Sequence, residues 1–241
     1  MCSLKTSSYV LIGVIGSPLL ACQEGYSEES SLSSDSYATS ISNDCMVMTE
    51  DSIEEQIEIP PGSIVITEIM LRPLDDGIRA NKKQWVELWN ASNVDISLQG
   101  WKLETSFLGN VLQEEIQCQI AIPAQTYLVL GGSIDQEINA HVPVRYEWHN
   151  KDFELDPFSD SNLRILTPSG LEVDQVMWEV AQWPIKDGHT TSLDARKVDS
   201  ALNDEYEHWC LGSHVWADSH GNKGTPGKEN QLCELEDLRS R

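Results

Sequence analysis

An all-β sandwich is the fold class that this sequence predicts, and three observations predict it. Residues 63–70 (SIVITEIM) and 84–89 (QWVELW) are dominated by β-branched and aromatic residues with polar ones between them, as in strands that turn one face to a core. Residues 96–103 (ISLQGWKL) alternate apolar and polar side chains with a period of two. Aromatic content is only 7%, yet 8 residues are Trp, which suits a core filled by few, large side chains. A chain of 241 residues sustains one such core without metals or many crosslinks.

In chain order, the first two runs each carry an acid, Glu68 and Glu87, among apolar neighbours. A carboxylate there needs a partner. Between the runs, Pro73 and the Asp76-Gly77 pair make residues 72–83 a loop. Asp75 and Asp76 are its best candidate carboxylate cluster, although Arg79, Lys82 and Lys83 beside them also fit an ordinary solvated loop. Residues 91–95 (ASNVD) form a turn before the third run. Strand-like segments follow at 113–120 and 127–131, the second entered through Pro123. Residues 132–160 lack periodicity and read as an insertion, a place where recognition residues tend to lie. Its aromatics Tyr146, Trp148 and Phe153 either present a surface to a ligand or cover the end of the core. Residues 163–166 and 171–178 flank TPSG (167–170), a hairpin turn with Pro and Gly in place. His189, Ser192 and Asp194 are close in sequence, but strand neighbours alternate between faces and do not assemble a catalytic triad. His208, Cys210, His214 and His220 have the residue types of a zinc site without a standard ligand spacing. The GTPG run at 224–227 lacks the Lys-Ser or Lys-Thr of a phosphate loop, so it reads as a tight turn.

These pieces fall in a fixed order: ITEIM (66–70), WVELWNAS (85–92), ISLQGWKL (96–103), IPAQTYLVL (122–130), LRILTPSGLEVDQVMW (163–178), GHTTSLDA (188–195) and GTPGKEN (224–230). In that order they resemble the lamin-tail domain. The resemblance implies an immunoglobulin-like β-sandwich over residues 62–233 with a late strand near 188–194; residues 234–241 after it read as a charged tail. It implies a scaffold more than an activity, because function on a sandwich sits in its loops.

The N-terminus has a different character. Lys5 precedes an apolar run from Tyr9 to Leu20 that is too short to span a bilayer, so residues 1–21 read as an export signal. Leu19-Leu20-Ala21-Cys22 resembles a bacterial lipobox, with Cys22 as the lipid-attachment residue. Several acyl chains on one residue anchor durably, at about 0.8 kcal/mol per buried methylene. Residues 22–61 are Ser-rich and acidic, with no Lys or Arg after Gln23, the composition of a disordered tether. A flexible segment of this length spans roughly 35 Å on average.

Charge and cysteines bound the partners. With 16 Lys plus Arg against 39 Asp plus Glu, the formal charge is -23, which disfavours nucleic acid and leaves Ca2+ as a candidate ligand. In an exported chain, Cys45, Cys118, Cys210 and Cys233 suit two disulfides, Cys210 with Cys233 and then Cys45 with Cys118. The expectation is a non-catalytic, lipid-anchored module that binds a protein or glycan of the cell envelope, outer membrane favoured, with no cofactor. Two alternatives stand beside it: a metal-assisted hydrolase using Asp75, Asp76, Asp156 and His149, or a module stabilised structurally by Ca2+.

Overall fold

The apolar run after Gly62 becomes a strand buried along its whole length, and the rest of the sheet is laid against it. The computed structural model describes residues 59–74 and 77–234. In chain order the strands are β1 (Ile64–Met70), β2 (Trp85–Asn90), β3 (Ile96–Ser97), β4 (Lys102–Phe107), β5 (Asn110–Glu115), β6 (Ala121–Ile122) and β7 (Tyr127–Gly131). A one-turn helix, α1 (Gln136–Asn139), leads to β8 (Val144–Glu147), β9 (Ser161–Leu166), β10 (Glu172–Trp178), β11 (Thr191–Leu193) and β12 (Trp209–Leu211).

One sheet runs β12-β11-β1-β2-β7-β8 and a second runs β10-β9-β4-β5, with β3 and β6 paired apart. All pairings are antiparallel except β7 with β8. Between the two larger sheets lies a core that takes Ile64, Ile66, Val86 and Leu88 from one and Leu103, Leu163, Ile165 and Val176 from the other. This is the immunoglobulin-like β-sandwich that the resemblance implies.

A bulge in β1, between Ile66 and Glu68, resets the alternation. Ile66 and Ile69 then both reach the inner core, while Glu68 and Met70 turn to the outer face, where Met70 packs with Trp85, Val129 and Val142. Asp174 on β10 reaches across to the bulge. Its Oδ2 accepts from the Ile66 N–H at 2.7 Å and from Asn203 Nδ2 at 2.8 Å, so the disrupted ladder leaves no orphan donor there. Burial pushes the Asp174 carboxyl up to about 8.

The outer face of the six-stranded sheet is itself covered. Residues 212–233 cross it as a strap, with Trp216 edge-on to Trp85 at 6.5 Å and its indole N–H donating to the Ala140 carbonyl at 2.7 Å.

Residues 132–160 are less irregular than their sequence suggests, because β8 joins the sheet edge beside β7. The aromatics there form no exposed surface. Tyr146, Trp148 and Phe153 are 3%, 4% and 1% exposed, with Trp148 edge-on to Phe153 at 4.9 Å. They close the end of the core, the other role that the sequence allows. Of the segment expected at 113–120 only 113–115 are strand, the end of β5, and the run at 96–103 divides into β3 and the start of β4 around a turn.

Candidate binding groove

Glu68 and Glu87 sit directly opposite each other on β1 and β2, and both are fully buried. Cross-strand like charges are unfavourable unless donors surround them. Here hydroxyls of the sheet and backbone N–H groups of the strap supply the donors. Glu68 Oε1 accepts from the Thr190 and Ser192 hydroxyls at 2.6 Å each and from the Thr225 N–H at 3.0 Å. Glu87 accepts from the Thr67 hydroxyl at 2.8 Å and from the Gly227 N–H at 2.7 Å. Burial raises the Glu68 carboxyl above the usual glutamate value. Burial, and then the Glu68 charge, holds the Glu87 carboxyl well above it.

The GTPGKEN run is therefore a latch. Asn230 Nδ2 donates to the carbonyls of Thr67 and Leu193 at 2.7 and 3.0 Å, and the Thr225 hydroxyl donates to Asn230 Oδ1 at 2.8 Å. Gly224 allows the close approach: a Cβ there would lie 2.6 Å from Thr190 Cγ2 and 2.9 Å from Glu68 Oε1. Beyond the latch, a disulfide joins Cys233 to Cys210 on β12, with the Cα atoms 5.7 Å apart.

Where the strap leaves the sheet, a groove of about 610 Å³ opens. Trp89 and Tyr127, register partners on β2 and β7, stack at 4.4 Å with a 43° tilt and form one side. Burial, followed by the charges of Glu87 and Glu229, pushes the Tyr127 hydroxyl up to about 12. The opposite side is Ala195, Val198, Gly227 and Glu229. That wall is held in place by Asp194, which accepts from the Arg196 N–H at 2.9 Å to cap the turn at Ala195–Lys197 and from the Cys233 N–H at 3.2 Å. Gln125, with φ at 55°, closes one end, and its Nε2 donates to the carbonyls of Ala91 and Ser92 at 2.8 and 3.0 Å. Half-buried aromatic faces beside an acid and an amide are the elements of a recognition site.

Other candidate residues take different places. Cys22, Cys45, Asp75 and Asp76 lie outside the described residues. Cys118 is disulfide-bonded. Asp156 and His149 have separate partners. Asp156 Oδ1 accepts from the Phe158 N–H at 2.8 Å, whereas His149 Nδ1 is 2.9 Å from the Tyr146 hydroxyl. That hydroxyl donates in turn to the buried Glu114 at 2.5 Å, a three-residue chain with no local signal in the sequence. The zinc reading fails at Cys210, whose sulfur is in the disulfide. Among the described residues, no three His, Cys, Asp or Glu side chains converge as a metal-holding group. His189, Ser192 and Asp194 point to Gly212, Glu68 and Arg196 respectively.

Trp89 and Tyr127 both lie in runs that the sequence marks as strands, but their pairing appears only with the β2–β7 register. Glu229 belongs to the GTPGKEN run, where its position against Tyr127 had no local signal.

No curated protein matches the chain. A family model described as Lamin Tail Domain matches residues 58–179, from just before β1 to just after β10. With the sandwich, its strand order and that match together, the chain belongs to the lamin-tail-domain family.

Proposed function

We propose that this chain is a lipid-anchored, non-catalytic binding module of the bacterial cell envelope, in which the sandwich presents the groove beside Trp89 and Tyr127. The observation that carries the binding role is how the acids are used. Glu68 and Glu87, the two fully buried carboxylates beside the strap, are occupied by the latch, while the half-buried aromatic pair opens onto the groove. The anchor is read from sequence, in the apolar run that ends at Leu19-Leu20-Ala21-Cys22 and the acidic tether after it. Together they hold one interaction domain away from a membrane surface without crossing it.

Intact-mass analysis of protein from the native membrane fraction tests this reading. The expected mass corresponds to cleavage before Cys22 plus acyl groups, and Cys22→Ser moves the protein to the soluble fraction. A wild-type chain that is unacylated and soluble would overturn the anchor.

A further inference from the structure

We propose that the groove binds the guanidinium group of an arginine carried by a partner peptide, with the guanidinium lying on the Trp89–Tyr127 pair and its N–H groups directed to Glu229. This rests on the binding-module reading of the same groove and names its ligand.

Three observations support it. The aromatic pair is preformed: Trp89 and Tyr127 face each other across β2 and β7, 4.4 Å between ring centres. A cation within about 6 Å of an aromatic ring is drawn to its negative face, Trp most strongly, and the attraction grows where water is partly excluded. The charge is also one-sided, because Glu229 lines the groove and no described lysine or arginine does. Its reach is visible in the Tyr127 hydroxyl, which burial and then the Glu87 and Glu229 charges hold in its protonated form. Finally, the wall that carries Glu229 is fixed, since Thr225 and Gly227 before it are tied to Glu68 and Glu87 and Asn230 after it to Thr67 and Leu193. An exposed carboxylate that lines the same groove as a flat aromatic surface suits arginine better than lysine. The guanidinium is planar, stacks on rings and pairs with a carboxylate through two parallel N–H groups, whereas the lysine ammonium is a strongly hydrated point charge. With a formal charge of -23, the whole chain also steers a cationic peptide inward.

The probes are acetyl-arginine-amide, its neutral counterpart acetyl-citrulline-amide, acetyl-lysine-amide with a free side-chain amine, and the neutral disaccharide chitobiose. Each is titrated into the full mature chain while the Trp89 indole signal is followed by NMR. The arginine probe should shift that signal with at least fivefold higher affinity than the citrulline or lysine probe. Glu229→Gln, a change at an exposed position, should remove most of that preference, and Tyr127→Leu should weaken binding about fivefold. Glu137→Gln, whose side chain is 85% exposed and lies 3.9 Å from His141 Nε2, away from the groove, should leave it unchanged. Equal binding of arginine and citrulline, or a chitobiose preference, would overturn the cation assignment and leave the groove as a binding site. If no probe moves the Trp89 signal, both the assignment and the groove reading fall.

Discussion

Glu68 and Glu87 share one environment, and each accepts from a backbone N–H as well as from hydroxyls. Two facing carboxylates titrate as a pair. Burial raises both, and burial with the Glu68 charge holds Glu87 well above its usual value, so the retained proton of the pair is assigned to Glu87. A folded carboxyl raised above its usual value of 4.5 contributes stability that is fully present below the unfolded value. That contribution is lost as pH rises through the folded one. Asp174, pushed up to about 8, acts in the same sense, so urea melts should show stability falling from pH 5 to pH 8. Glu87→Gln keeps an acceptor for Gly227 and should flatten that fall, gaining stability at pH 8. Glu68→Gln sets an amide against the Thr225 N–H and should cost about 2 kcal/mol at both pH values. Equal damage from both substitutions, with an unchanged slope, would place the proton elsewhere.

At the scale of elements, the strap is the part that the alternation of apolar residues could not describe. β1, β2, β7 and the β9–β10 hairpin were legible because β-branched and aromatic runs bounded by turn residues mark strands, whereas the alternation at 96–103 is broken by a turn between β3 and β4. β8 and β12 were not, since they are four and three residues long, too short to display a period of two. Tyr146 shows the same limit at one residue: the sequence left its ring either to a ligand or to the end of the core, and only the fold shows β5 supplying Glu114 to its hydroxyl. Glu68 and Glu87 did announce a need for partners, although nothing local said that GTPGKEN would meet it. The strap is also crosslinked, closing a separation of 23 residues between Cys210 and Cys233. Replacing both cysteines with serine should cost about 3 kcal/mol in the loop-entropy model. The Thr225 and Gly227 amides should then exchange with solvent faster than those of β9, because the latch alone would hold the strap. Unchanged protection at those amides would assign the hold to the glutamates and not to the disulfide.

Across the whole molecule, the strongest influence outside the core is charge of one sign. A formal -23 repels itself more strongly in the compact state than in the unfolded chain, where the same carboxylates stand further apart. Salt should relieve this, since the Debye length falls from about 30 Å at 0.01 M to about 8 Å at 0.15 M. A gain of about 1 kcal/mol on adding NaCl at pH 7.5 would appear as a rise of roughly 2–4 °C in Tm for a domain of this size. Screening depends on ionic strength, whereas a bound ion adds stability according to its own affinity. The comparison that separates them is CaCl2 against NaCl at equal ionic strength. Because no three acids converge among the described residues, the two salts should raise Tm equally. A larger rise with calcium, reversed by a chelator, would instead locate a Ca2+ site in the acidic segments outside them.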